Sequence, residues 1–328
     1  MIRLGLQIPN FTDAEVEPGD LFEAVAAVAG AGESAGFDTV MVMDHFYQLP
    51  MLGPPEAEMF EAYTLLGAIA ARTSRVRLGT LVTGVTYRNP AILAKIVTSL
   101  DVISRGRAFL GIGAAWYDVE HDGLGVVFPP VKERFERLEE ALQICRAMFL
   151  GERPTFDGRH YRVHEAINSP APLQAGGPPI MIGGQGEKKT LRLMAEHAEM
   201  ANFVSGFDEL PRKLEVLAQH CANAGRDIAS INKTSLVSLF LGDTHDAAVA
   251  KVDSRLAAHG MAWNALDDAT RDRLGSRFVV GDADEVGERV GAFLDLGLDG
   301  LAFNLPADGL RIDAFAQAGE VLSKAMVT

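Results

Sequence analysis

The chain is expected to fold as a (β/α)8 barrel, and three features of its 328 residues point that way. Eight short apolar runs alternate with amphipathic stretches from end to end. Each run is nearly continuous in its apolar character, as strands are when helices cover a parallel sheet. The first strand–helix turn, "IPNFTDAEVEPGD", lacks the glycine fingerprint that an open dinucleotide-binding sheet carries. The length exceeds the roughly 250 residues typical of such a barrel. Insertions after strands 4 and 7 are therefore expected, at 115–130, 152–178 and 260–282. No repeat, low-complexity run or linker divides the chain, so residues 1–328 are expected to form a single domain.

The elements follow in order. "RLGLQI" (3–8) is the first strand, and the helix after it, 21–35, stops at Gly36. "TVMVM" (39–43) is the second strand and 58–73 its helix. "VRLGTLVT" (76–83) is the third, followed by a helix that starts at Asn89-Pro90, where proline gives up an amide that had no helical partner anyway. "RAFLGIG" (107–113) is the fourth, and the strongly striped helix 131–151 ends at Gly151. Strands at 179–184, 200–206, 234–242 and 300–306 complete the set, with helices near 187–198, 208–224, 246–259, 284–296 and 311–326.

Thirty Lys and Arg against 44 Asp and Glu leave a net charge of −14, which argues against nucleic acid and anionic membrane as partners. No apolar run approaches the roughly 20 residues of a membrane-crossing helix, and the N-terminus reads as a strand and not a signal peptide. Cys145 falls in step with Leu138, Leu142 and Phe149, and Cys221 with Leu214 and Leu217. Both read as packing residues in a reducing cytoplasm, with neither disulfide nor metal site.

In a barrel the chemistry sits where strands end and helices begin. Here those ends collect polar and glycine residues: Gln7 to Asn10, Asp44-His45, Val82 to Gly84, Gly113 to Trp116, Gly183 to Gly186, Asn202 and Asn304. A hydrophobic strand that stops on Asp44-His45-Phe46 reads either as a turn or as a catalytic edge. Gly183-Gly184-Gln185-Gly186 runs into a helix, and reads either as a plain turn or as an anion site with Lys188 or Lys189 as counter-charge. Gly111, Gly113, Ala114 and Ala115 leave room above strand four for a flat ring, which Trp116 would wall. The Glu120-His121-Asp122 triplet does not converge on one point, so no metal is expected. No G-x-S-x-G elbow supports a hydrolase.

Taken together, "VMDHF", "GTLVTGVTYRNPAILAKIVTSLDVISRGRAFLGIGAAW", "FERLEEALQI" and "IMIGGQGEKKTLRLMAEHAEMAN" resemble the bacterial luciferase-like superfamily, in its branch of oxidoreductases that use the deazaflavin coenzyme F420. The resemblance spans essentially the whole chain. It implies a barrel that binds the cofactor at its C-terminal rim, a homodimer, and a small-molecule substrate. It matches Leu81–Val82 to a non-prolyl cis peptide behind the ring, with Thr83 beside it. Asp44 matches a residue by the ring, His45 a proton donor or acceptor facing substrate, Gly183 to Gly186 the phosphate turn, and Ala114 and Ala115 a backbone lining the cofactor. Two positions depart from the pattern of the deazaflavin-dependent glucose-6-phosphate dehydrogenases: Trp116 stands where they carry a glutamate, and Phe46-Tyr47-Gln48-Leu49 lacks their tryptophan. Sugar-phosphate chemistry is therefore not expected, and Tyr47 and Trp116 are expected to line an apolar substrate pocket. The alternatives are an FMN-dependent monooxygenase and a non-catalytic flavin-binding barrel.

Overall fold

The computed structural model describes residues 1–257 and 260–326. Its barrel consists of β1 (Leu4–Ile8), β2 (Thr39–Val42), β3 (Arg77–Thr80), β4 (Leu110–Gly113), β5 (Ile180–Gly183), β6 (Met200–Phe203), β7 (Asn232–Leu241) and β8 (Gly300–Asn304). Hydrogen-bonded neighbours run β3-β2-β1-β8-β7-β6-β5-β4, all parallel. The circle closes where the Leu78 amide donates to the Arg107 carbonyl at 2.9 Å and the Phe109 amide to that of Leu78 at 3.0 Å. The third strand is not continuous over 76–83 as expected. It ends at Thr80, the Leu81–Val82 peptide is cis, and Thr83–Gly84 resumes pairing against Ile112 and Gly113.

Helices α1 (Leu21–Ser34), α2 (Ala62–Ala70), α3 (Pro90–Ile103), α4 (Asp118–Leu124), α5 (Val131–Phe149), α6 (Thr190–His197), α7 (Leu210–Asn223), α8 (His245–Ala257), α9 (Asp268–Gly275), α10 (Ala283–Asp295) and α11 (Ile312–Ala325) surround it. The main core lies between barrel and helices, where strand residues such as Val40, Leu78, Leu110 and Ile180 meet Val28, Leu66, Val97 and Met194. Caps set the helix starts. Asn89 accepts from the Ala91 amide at 2.9 Å ahead of Pro90, as the sequence indicates, whereas Glu61 caps Thr64 at 2.6 Å and starts α2 later than residue 58. A turn at 187–189 likewise delays α6 to Thr190. Residues 258–259 of the expected 246–259 helix lie outside the described residues.

Inside the barrel the side chains are layered. Ile2, Met41, Phe109, Met181, Met200 and Ala302 fill the lower part, and glycines make room for them: a Cβ on Gly79 would lie 2.6 Å from the Phe109 ring. Above them lies a polar layer, in which Asn304 donates to Gln7 and Asn202 to Thr234, each at 2.9 Å. Each amide nitrogen is partnered, whereas the buried Oδ1 atoms of Asn202 and Asn304 accept no hydrogen bond from the described residues.

The insertions are structured. Residues 114–130 carry α4, and between α5 and β5 lies an antiparallel ribbon, Phe156–Asp157 with Arg162–Val163. The segment expected as an insertion at 260–282 holds α9 and then a further parallel strand, Phe278–Gly281. That strand exists because β7 is 10 residues long. Its first half pairs with β8 and its second, Ser238 to Leu241, with the added strand. Asp282 and Glu285 then form a capping box that opens α10.

Candidate active site

A cavity of about 660 Å³ opens at the C-terminal ends of the strands, within the roughly 300–1,000 Å³ range of small-molecule sites. Asp44, His45, Leu81, Val82, Thr83, Ala114, Ala115, Trp116, Gly183, Gly184 and Gln185 all line it. Residues far apart in sequence therefore meet on one rim. Gly186 lies just beyond the lining, and Tyr47 is turned away onto α4, where a Cβ on Gly123 would fall 2.5 Å from its hydroxyl.

On the β2 side the polar groups are locked. The Asp44 carboxylate is buried and receives both arms of Arg88, at 2.6 and 3.0 Å, and Arg88 also reaches Glu61 at 2.5 Å. Burial raises the Asp44 carboxyl above its ordinary range, with the Arg88 charge working against that shift. Burial also opposes the charge on Arg88, but Asp44 and Glu61 outweigh it and hold the guanidinium above its usual range. The guanidinium lies 5.0 Å from the Tyr63 ring, whose hydroxyl bonds Thr83 at 2.7 Å.

His45 is held by a residue the sequence reading overlooked. Glu120, on α4, is fully buried. Its carboxylate accepts from His45 Nδ1 at 2.7 Å, from the Phe46 amide at 2.7 Å, from the Tyr47 amide at 3.3 Å and from the Tyr87 hydroxyl. Burial alone would raise this carboxyl, but those donors reverse the effect and hold it below the usual range. The Glu120 carboxylate engages His45 through Nδ1, and among the described residues Nε2 has no protein partner, at a residue lining the cavity. The Trp116 and Tyr117 rings stand edge-on, 5.9 and 6.0 Å from the imidazole. Tyr87, also in the cavity wall, stacks at 4.6 Å on His121. His121 itself bonds Tyr117 O and Thr86 Oγ1, both at 2.7 Å, so Glu120 and His121 serve separate partners.

The β4–β6 side is built from backbone. Val82 fits between two glycines: a Cβ on Gly183 would lie 2.8 Å from it and one on Gly113 3.0 Å. Ala115 adopts a left-handed φ of 60°, a costly conformation for alanine. Arg134, lying 4.1 Å over the Phe128 ring, clamps its carbonyl at 2.5 Å. Gly184 has φ 138°, a region glycine tolerates. Among the described residues, the amides of Gln185, Gly186 and Glu187 donate to no protein group. Such a row of open donors suits an anion. Lys188 and Lys189 lie outside the lining, with Lys189 5.2 Å over the Phe135 ring. The cation in the lining is Arg277, brought in just before the added strand, and among the described residues its guanidinium has no recorded partner. A floor kept clear by glycines and alanines, next to unbonded amides, fits a flat ring with a phosphate-bearing chain.

Comparison with known proteins agrees with this geometry. The sequence model of the luciferase-like monooxygenase family matches residues 2–300. An F420-dependent glucose-6-phosphate dehydrogenase of Microbacterium testaceum is 32% identical, over 84% of this chain and 84% of its own. In structure, a coenzyme F420-dependent tetrahydromethanopterin reductase from Methanopyrus kandleri superposes with a TM-score of 0.80 at 18% identity, covering 98% of this chain and 99% of that one. The monooxygenase RslO1 of Streptomyces bottropensis gives 0.81 at 20%, covering 99% of each. At those identities the structural likeness speaks to fold alone.

Proposed function

Since the chain belongs to the luciferase-like monooxygenase family, we propose that it is an F420-dependent oxidoreductase acting on a small organic substrate, with His45 as the proton donor or acceptor. The observation that carries the reading is the His45–Glu120 pair at the edge of a glycine-floored cavity. The family relationship and the F420-dependent relative supply the choice of cofactor.

When bound, the deazaflavin supplies or accepts the hydride. The chain's own residues do the rest. Val82, with Gly113 and Gly183 behind it, backs the ring. Ala114 and Ala115, clamped by Arg134, flank it. The amides of Gln185 to Glu187 hold the phosphate. Asp44, fixed by Arg88, sets the polar edge beside the ring, and His45 Nε2 exchanges a proton with the substrate while Glu120 holds the ring in place.

The reading extends to the surroundings of the barrel. Ile92 and Ile103 on α3, and Ile167 and Leu173 on the segment tied to it through Asp101, are all exposed, which supports a homodimer formed through that side. Both cysteines are buried thiols, Cys145 pushed up to about 12 by burial, as suits a cytoplasmic protein. Among the described residues no helix is long and apolar enough to cross a membrane.

The test is turnover. Purified protein is offered reduced F420 with a panel of carbonyl substrates and, in parallel, reduced FMN with oxygen. Oxidation of the deazaflavin that depends on substrate and on His45 is the expected result. Substrate oxygenation with FMN and no reaction with F420 would overturn the proposal in favour of a monooxygenase.

A further inference from the structure

We propose that Tyr87 is a positioning residue for His45: its hydroxyl shares one oxygen of the Glu120 carboxylate with the imidazole, and so sets how strongly that carboxylate holds the imidazole's proton. This deepens the reading in which His45 exchanges a proton with the substrate, and rests on it for the catalytic consequence.

The two oxygens of Glu120 carry different loads. Oε2 accepts from the Phe46 amide at 2.7 Å and the Tyr47 amide at 3.3 Å, so the backbone that leaves His45 fixes the carboxylate in place. Oε1 meets His45 Nδ1 at 2.7 Å and also accepts from the Tyr87 hydroxyl. A carboxylate oxygen has room for two donors, but both draw on the same negative charge. The phenol keeps its proton and stays a donor, because burial first, and then its bond to Glu120, raise it above its ordinary range.

The other titratable and charged groups around this pair are engaged elsewhere or enter from another side. Asp44, next to His45, holds Arg88, and Arg88 holds Glu61. His121, beside Glu120 on α4, is turned to Thr86 and the Tyr117 carbonyl, and the Tyr117 hydroxyl lies 3.5 Å from the Gln48 carbonyl. Arg277 enters the cavity from the segment before the added strand.

Packing holds the Tyr87 ring without its hydroxyl. The ring stacks on His121 at 4.6 Å and meets Phe46 edge-on at 5.2 Å. Gly84 leaves the space it needs, since a Cβ there would fall 2.7 Å from the ring. Phenylalanine can fill the same place, so the hydroxyl is separable from the packing.

The consequence has a sign. A carboxylate next to an imidazole favours its charged form. The Tyr87 hydroxyl takes up part of the charge on Oε1, so His45 releases a proton more readily. Without that hydroxyl the whole of Oε1 turns to His45, and the imidazole titration moves to higher pH.

The experiment follows the His45 imidazole by nitrogen NMR against pH in the full chain without cofactor, its signals assigned by their loss in His45→Gln. Wild type, Tyr87→Phe, Glu120→Gln and the double variant form a cycle. The expected result is a midpoint about half a pH unit higher in Tyr87→Phe than in wild type, and no further shift when the same change is made in Glu120→Gln. A merely structural role would not give this pattern. No shift in Tyr87→Phe, or one that persists in the Glu120→Gln background, overturns the proposal. Turnover with reduced F420 gives the catalytic readout: the kcat profile of Tyr87→Phe should move up in pH by the same half unit, with F420 affinity unchanged. An unmoved profile overturns the catalytic consequence. The expected NMR cycle in a protein that does not turn over F420 supports the placement of Tyr87 and removes the deazaflavin reading.

Discussion

The rim over β2 and the rim over β4 to β6 hold their polar groups in opposite ways. Over β2, Asp44, Arg88, Glu61, His45, Glu120 and Tyr87 are bonded to one another by short charge-assisted contacts, and almost every donor has an acceptor. Over β4 to β6, glycine and alanine keep side chains out and successive amides remain unbonded. A locked set of charges can hold a proton at a fixed atom but cannot adapt to a ligand. An open row of amides can take a phosphate but has nothing with which to move a proton. On the proposed reading, proton transfer falls to the β2 half of the rim and phosphate binding to the β4–β6 half, and mutations should separate them.

His45→Ala should have the largest effect, a fall in kcat of at least about 100-fold, read by steady-state kinetics, with F420 affinity kept. Loss of binding in that variant would break the division. Next, Arg88→Ala strands Asp44 as a buried unpaired carboxylate. It should destabilise the fold by about 3–5 kcal/mol, read as a shift in the urea midpoint.

Glu120→Gln sharpens the comparison on the locked side. It should lower kcat about tenfold without changing cofactor affinity, and it carries a pH signature. The Glu120 carboxyl is depressed on folding, so its stabilisation is present above the unfolded value of about 4.3 and is lost as pH falls through the lower folded value. Acid unfolding should therefore be steeper for the wild type than for the Gln variant below about pH 4.3. The smallest effect belongs to Tyr47→Phe. Its ring packs on α4 outside the cavity, so kcat/KM should stay within about twofold; a larger loss would return Tyr47 to the site.

The eight barrel strands were legible because buried parallel strands are continuous apolar runs, and the strand ends named the rim. The partners of those ends were not. Glu120 stands in "DVEHDG", where the Glu120-His121-Asp122 triplet reads only as a metal set that does not converge, and the folding back of α4 over β2 is what buries it. Arg88 looks like a loop residue before an Asn-Pro cap, and its pairing with Asp44 spans 44 residues. Tyr47 is expected in the pocket as an aromatic residue in the stretch that lacks the dehydrogenases' tryptophan, but the backbone turns it onto Gly123. The added strand left a readable sign: the apolar "FVV" before Asp282 and Glu285 is a strand followed by a capping box, in a segment taken as insertion.

The most direct test of the division is calorimetric titration of F420 into three proteins: the wild type, His45→Ala and Gly183→Val. The account predicts that His45→Ala binds like the wild type. It predicts that Gly183→Val, whose side chain must displace Val82 from its place against Gly113 and Gly183, loses at least about tenfold in affinity. Equal binding by Gly183→Val, or lost binding by His45→Ala, would contradict it.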